Sequence, residues 1–283
     1  MSTTKTALIT GAAGGIGAAV AKRLHAQGYQ LSLVDVDADG LALLAAQMPG
    51  ARTRVLDCAD RDALATLTGQ IRSGVEPVDV AFINAGIVIP GDVLNLSEAQ
   101  IDAQLEINLR SAIHLIKACA HAMAERGTGH IVATVSIGGI LALKGNATYA
   151  ATKFGLRGFL NALRDELRPR KVKVSGIYPS GVDTPMLRYE ATHNGSALNF
   201  INTPQTVADV VRTFDKALRS GRLELYVPYA DGVFSRLLAL FPWALGRLYP
   251  LLEWIGERGR RKYLKSHPLH AAVDPRTPDT KSA

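Results

Sequence analysis

Tyr149 and Lys153 stand four residues apart, and Ser136 lies thirteen residues before the tyrosine. At that spacing a tyrosine and a lysine share one face of a helix, one turn from each other. An ammonium beside a phenol favours the phenolate and draws its pKa down from about 10. A tyrosine tuned in this way takes a proton from an alcohol or returns one to a carbonyl. A serine hydroxyl nearby can hold the same oxygen. Such a pair also arises on ordinary solvated helix faces, so its meaning depends on what accompanies it.

The N-terminus supplies that company. An apolar run to Thr10 leads into Gly11, Gly15 and Gly17, then into a helical stretch that ends near Gly28. Glycines admit positive φ and let a pyrophosphate approach the backbone. The helix behind them offers free N–H groups and a partial positive charge. The next apolar run ends in Asp35. An acid about 20 residues past the glycines suits a ribose 2′-hydroxyl and repels a 2′-phosphate. No Lys or Arg occurs between Gly11 and Gly17 or at Val36, so the expected cofactor is NAD rather than NADP.

The spacing of Gly11, Gly15 and Gly17, taken with Asn84, Ala85, Gly86, Asn108, Ser136, Tyr149 and Lys153, resembles the short-chain dehydrogenase/reductase family over about residues 5–228. The resemblance implies roles residue by residue. Gly11, Gly15, Ile16 and Gly17 match the pyrophosphate turn, and Asp35 the ribose-binding acid. Asp57 and Cys58 match the place of the adenine ring, and Asn84, Ala85 and Gly86 a segment along the cofactor. Ser136, Tyr149 and Lys153 match the catalytic trio. Asn108 matches an asparagine that supports a water-mediated proton relay through the lysine. Pro179, Gly181, Val182 and Thr184 resemble a segment beside the nicotinamide, with Ser180 standing where the family has glycine. The implied activity is hydride transfer between NAD(H) and an alcohol or ketone, with Tyr149 as general acid/base. The implied assembly is a homodimer or homotetramer, formed partly by helices around 98–124 and 147–168.

The elements that must position these residues are legible as alternating runs. Strand cores are expected at 7–9, 31–34, 54–56, 78–83, 130–135, 173–178 and 225–227. Helices are expected near 15–26, 39–47, 61–71, 98–124, 147–168 and 206–220. This alternation predicts an α/β fold, a Rossmann-type doubly wound parallel sheet in one domain. With 283 residues, 47% of them hydrophobic, the chain can bury a large core, which excludes global disorder. Seven histidines and two cysteines, Cys58 and Cys119, show no ligand spacing, so no metal site is expected. Two cysteines suit a reducing cytoplasm, and no basic stretch followed by an apolar run marks a signal peptide. The expected localisation is cytoplasmic.

Beyond the 1–228 catalytic domain the sequence predicts a helical extension over 229–266 and a disordered tail over 267–283. Residues 234–255 are largely apolar, and Arg258, Arg260, Arg261, Lys262 and Lys265 follow. Arg236, Arg247 and Glu253 interrupt the apolar run, and Pro242 and Pro250 should divide it into short pieces, so it is no membrane span. Two readings are compatible: short amphipathic helices at the cytoplasmic membrane surface, through 234–265, or an apolar lid or oligomer contact. Ser136, Ile137, Leu143, Tyr149, Met186 and Leu187 are the expected substrate contacts. With the extension they point to a lipophilic substrate (a hydroxysteroid, retinoid or long-chain alcohol) and so to lipid metabolism. Competing readings are a 3-oxoacyl-thioester reductase, a non-redox enzyme with bound NAD, or an NAD sensor. The net charge is +7, but outside the C-terminal segment Lys and Arg do not cluster with stacking aromatics, and no nucleic-acid motif occurs, so no nucleic acid is expected.

Overall fold

The computed structural model describes residues 4–267. Seven strands form one parallel sheet: β1 (Thr6–Thr10), β2 (Gln30–Asp35), β3 (Arg52–Val55), β4 (Val80–Ile83), β5 (Gly129–Thr134), β6 (Val172–Pro179) and β7 (Glu224–Val227). Their order is β3-β2-β1-β4-β5-β6-β7. The chain runs outward from β1 through β3, returns to pair β4 with β1, and then proceeds the other way. That reversal opens a crevice at the carboxyl ends of β1 and β4, where open α/β sheets hold their ligands.

Helices cover both faces, which is why the central strands are apolar throughout rather than alternating. Helices α1 (Gly15–Ala26), α2 (Ala38–Ala45) and α8 (Val207–Ser220) pack Val20, Leu24, Leu41, Val210 and Phe214 against Ala7 and Ile9. Helices α3 (Arg61–Arg72), α5 (Ser111–Arg126) and α6 (Ala147–Leu167) pack Leu67, Ile116, Met123 and Leu160 against Leu8 on the opposite face. Successive β1 side chains therefore feed two cores, as the strand's period of two requires. Helix α8 starts on a reciprocal cap between Thr206 and Asp209, matching the helix start expected at Thr206.

The structure departs from the sequence expectations in three places. The helix expected over 98–124 is α4 (Glu98–Leu105), a π-helical turn Glu106–Arg110, and then α5; the wide turn carries Asn108. A further helix, α7 (Pro185–Thr192), follows β6, capped by the Thr184 hydroxyl and opened by Pro185, a residue suited to a first turn. The extension is two helices, α9 (Tyr229–Ala239) and α10 (Pro242–Ser266). Pro242 starts α10, and Pro250 lies inside it without ending it. An interior proline costs about 3 kcal/mol, and docking downstream offsets that cost. A Cβ on Gly256 would lie 2.2 Å from the Ala197 carbonyl oxygen, and one on Gly259 1.9 Å from that of Phe200. Two glycines thus lay α10 directly on the backbone of the 197–200 turn. Tyr263 packs on Phe200 and donates to Asp183 Oδ1 at 2.7 Å. The tail expected over 267–283 lies, after His267, outside the described residues.

Candidate active site

The trio is assembled from two elements. Lys153 and Tyr149 come from the first turns of α6, and Ser136 from the end of β5. Ser136 has φ of 141°, a conformation that costs a non-glycine residue of order 1–3 kcal/mol. Its Oγ accepts from the Gly138 N–H at 3.0 Å and hydrogen-bonds the Tyr149 hydroxyl. The turn lies close on α6: a Cβ at Gly138 would sit 3.3 Å from the Tyr149 ring, and one at Gly139 2.8 Å from the Lys153 carbonyl oxygen. The Lys153 ammonium donates to Thr134 O at 3.0 Å and stands 5.5 Å from the centre of the Tyr149 ring.

The electrostatics correct one sequence expectation. Burial pushes the Tyr149 phenol above its ordinary value; the charge of Glu190 adds to this, and the Ser136 hydrogen bond opposes it. Burial also pulls Lys153 down to about 8. Spacing alone says that a cation lowers the tyrosine, but both groups are desolvated, and desolvation disfavours whichever form is charged.

Asn108 is 1% exposed, and its side-chain amide makes a reciprocal pair of bonds with Ile87: Oδ1 accepts from the N–H at 2.7 Å and Nδ2 donates to the carbonyl at 2.8 Å. The amide clamps the irregular segment after β4 onto the π-helical turn. Asn84 is a second tie, donating from Nδ2 to Gly11 O at 3.2 Å and accepting from the Thr134 hydroxyl at 2.9 Å. The backbone N–H groups of Asn84 and Ala85 both donate to the Thr10 hydroxyl. These bonds lock β1, β4 and β5 around the crevice.

The glycine turn fits a dinucleotide. Gly11 has φ of +63°, and a Cβ there would lie 2.9 Å from Ala85 Cα; one at Gly17 would lie 2.0 Å from Gly11 O. No side chain caps α1 at Gly14, which leaves first-turn N–H groups for an anion. Gly15 and Thr184 face each other across the turn, a Cβ on the glycine lying 3.2 Å from the threonine methyl. Asp35 is 4% exposed and accepts from the N–H of Ala13 at 2.8 Å and of Asp37 at 3.1 Å, so it also holds the turn against β2. Asp57 accepts from Ala59 N at 2.8 Å. Burial raises the Cys58 thiol to about 12, which makes it packing rather than a nucleophile. Ser180, the departure from the family pattern, spends its hydroxyl on Val227 O. A Cβ on Gly181 would meet Asn199 O at 2.5 Å.

Behind the trio opens a cavity of about 210 Å³. Ile137, Leu143, Met186 and Leu187 line it together with Ser136 and Tyr149; Ile16, Pro179, Gly181, Val182 and Thr184 also border it. Phe234, Leu238 and Leu252 close it from α9 and α10, so the extension forms one wall. Lys144 and Arg188 stay outside, paired with Glu253 and Asp183. Sequence reasoning missed Asn146, Glu190 and Asn199, polar residues on the cavity wall. No periodic pattern marks them, since they lie on three separate segments.

A dinucleotide cradle at the switch point of a parallel sheet, with a serine, tyrosine and lysine gathered beside it, defines a nicotinamide-dependent oxidoreductase. The short chain dehydrogenase model matches residues 5–195, and the chain belongs to that family. It is 30% identical over 264 residues to the ketoacyl reductase HetN of a Nostoc strain, covering 90% of each chain. It is 30% identical over 272 residues to dehydrogenase/reductase SDR family member 7B of Bos taurus, covering 92% of this chain and 83% of the relative. Among solved structures, a short-chain dehydrogenase from Streptomyces avermitilis has the same fold, with a TM-score of 0.74, 24% identity, and coverage of 88% of this chain and 98% of that one.

Proposed function

We propose that the chain is an NAD-dependent dehydrogenase or reductase of a secondary alcohol or ketone on a hydrophobic skeleton, of the hydroxysteroid, retinoid or long-chain type. The observation that carries this is the cavity itself: apolar side chains from Ile137 to Leu252 surround the Ser136 and Tyr149 hydroxyls. Gly11, Gly15, Gly17, Asp35 and Lys153 would hold the dinucleotide, which when bound supplies the two-electron hydride exchange. In oxidation the Tyr149 oxygen takes the alcohol's hydroxyl proton; in reduction it returns that proton to the carbonyl oxygen. Ser136 holds the same oxygen and stabilises the charge that develops on it. Asn108 acts by fixing the segment around Gly86 beside Lys153, where the family's proton relay runs.

The test is the absorbance of reduced nicotinamide as purified protein meets NAD+ or NADP+ with hydroxysteroids, retinol, long-chain alcohols and small polar alcohols. Turnover with NAD+ and a bulky apolar alcohol is expected. Turnover confined to small polar alcohols would discard the lipophilic substrate, and tight NAD+ binding with no turnover would favour a sensor. A 3-oxoacyl thioester belongs in the panel with NADH, because the Nostoc relative is named a ketoacyl reductase. Asp35→Ala should reduce the preference for NAD over NADP by about 10-fold, the worth of one charge-assisted hydrogen bond. An unchanged ratio would remove Asp35 from ribose recognition.

A second observation supports association with a membrane surface. No described helix is long and apolar enough to cross a membrane. However, Phe234, Leu237, Leu240, Phe241, Trp243, Leu251 and Trp254 are exposed on α9, α10 and the link between them. On α10 the residues Trp243, Arg247, Leu251, Trp254, Arg258, Arg261 and Lys265 follow one outward stripe. Arg258 stacks 3.5 Å over the Trp254 ring. Aromatic residues beside arginines and lysines suit the headgroup region of anionic lipid. Phe234 belongs both to this surface and to the cavity wall, which would let a lipid-borne substrate pass from one to the other. The protein should sediment with phosphatidylserine vesicles and less with phosphatidylcholine ones, and Trp243→Ala with Trp254→Ala should release it. Indifference to both vesicles would leave the extension as a lid alone. Exposed Leu105 and Phe154, on α4 and α6, support the homodimer or homotetramer reading.

A further inference from the structure

Glu190 is the anomaly of this cavity. It sits on α7, 8% exposed, on the same apolar wall system as Tyr149. No lysine or arginine pairs with it among the described residues. Its Oε1 accepts from Asn146 Nδ2 at 3.1 Å and its Oε2 from Asn199 Nδ2 at 3.2 Å. Those three residues come from α6's entry, α7 and the 197–200 turn, so the fold brings them together deliberately rather than through local sequence.

Two amide bonds do not exhaust a carboxylate, which offers about four lone-pair sites. A second polar atom beside it is also short of a donor. Asn146, 5% exposed, uses its Nδ2 on Glu190, and its Oδ1 is buried with no hydrogen-bond partner. Buried unpaired acceptors are uncommon and ask for an explanation. Asn146 Oδ1 is sealed from the cavity, so the spare acceptor capacity on this wall is that of Glu190, and a ligand that uses it must donate. A hydroxyl fits better than an ammonium, because the other carboxylate on the lining, Asp231, already accepts from Asn202 Nδ2 at 3.0 Å, most of the lining is apolar, and Tyr149 and Ser136 claim the reacting oxygen.

We propose that Glu190, held by Asn146 and Asn199, is a substrate-specificity residue that accepts a hydrogen bond from a second hydroxyl on the substrate, apart from the reacting carbinol or ketone. The inference rests on the lipophilic-alcohol reading above and narrows it to skeletons with two oxygen functions. Glu190 touches neither the transferred hydride nor the transferred proton; it selects and orients.

The test uses androstane ketones with and without added hydroxyls at different ring positions, NADH as the reductant, and parent protein against Glu190→Ala and Glu190→Gln. Assayed at pH 8, where Glu190 is a carboxylate, the parent should favour one hydroxylated ketone over its deoxy partner by about 10- to 100-fold in kcat/KM, the worth of a hydrogen bond to a charged group. Glu190→Ala should abolish that preference, mainly through KM, while turnover of the deoxy ketone persists. Glu190→Gln, which keeps a carbonyl acceptor, should restore part of it. An equal fall for both ketones would make Glu190 a strut between α6 and α7 and overturn the proposal. So would an absence of any hydroxyl preference in the parent. If the hydride step itself fails, the broader reading falls, and calorimetric binding of the same ketone pairs to the NADH-loaded protein still decides the hydroxyl question: equal affinities reject it.

Discussion

Tyr149→Phe should lower kcat by about 10²- to 10⁴-fold, the usual contribution of a positioned acid or base, and leave cofactor affinity unchanged. The change removes one oxygen and little else. The phenyl ring keeps its place against Gly138, where a Cβ would already be 3.3 Å from the ring. Lys153 keeps its bond to Thr134 O at 3.0 Å, so the ammonium stays where it would help to hold the dinucleotide. Ser136 remains to polarise the substrate oxygen, which leaves a residual rate. Steady-state rates, with fluorescence titration of NADH, separate the two effects. Near-parental turnover would take the proton step away from Tyr149. Equal losses of turnover and of NADH affinity would mean that the hydroxyl holds the cofactor rather than moves the proton.

How much of this was legible in the sequence depends on whether the information is local. β1, the Gly11–Gly17 turn and α1 are consecutive, so an apolar run, glycines at fixed spacing and a helical stretch sufficed to place the cradle. Tyr149 and Lys153 share one helix, and their juxtaposition follows from its period. Ser136 was found through the family's spacing, since nothing in the residues themselves says that β5 ends beside α6. Glu190, Asn146 and Asn199 stayed invisible because they converge only when α7 folds over the cavity. Burial was equally out of reach. The residues gave Tyr149 a cationic neighbour, and only the packed structure shows that desolvation outweighs it. Pro250 read as a break because a proline's local cost is certain, whereas the glycines that dock α10, Gly256 and Gly259, act on a turn about sixty residues earlier in the chain.

The same buried carboxyl makes stability depend on pH in a direction opposite to that of an ordinary ion-paired glutamate. Burial raises Glu190 from 4.5 to about 7, against the pull of its Asn146 hydrogen bond. Between those values the folded chain holds a proton that the unfolded chain has released. Stability therefore falls as pH rises through this window: it is fully present below about 4.5 and lost progressively to about 7. A shift of that size is worth about 3 kcal/mol at pH 8. The groups facing Glu190 are Tyr149 and Asn146 from the start of α6 and Asn199 from the turn beneath α10, and none supplies a positive charge. Lys153 titrates higher, near 8, and with the opposite slope: stability returns as pH climbs from there toward 10.5. Glu190→Gln removes the first contribution and leaves the second. In urea titrations the variant and the parent should be alike near pH 4.5, and the variant should be the more stable by about 3 kcal/mol at pH 8. A gap that does not change with pH would mean that Glu190 stays ionised throughout. Its cost would then be met by the two amides, and the cavity wall would carry a permanent negative charge beside Tyr149.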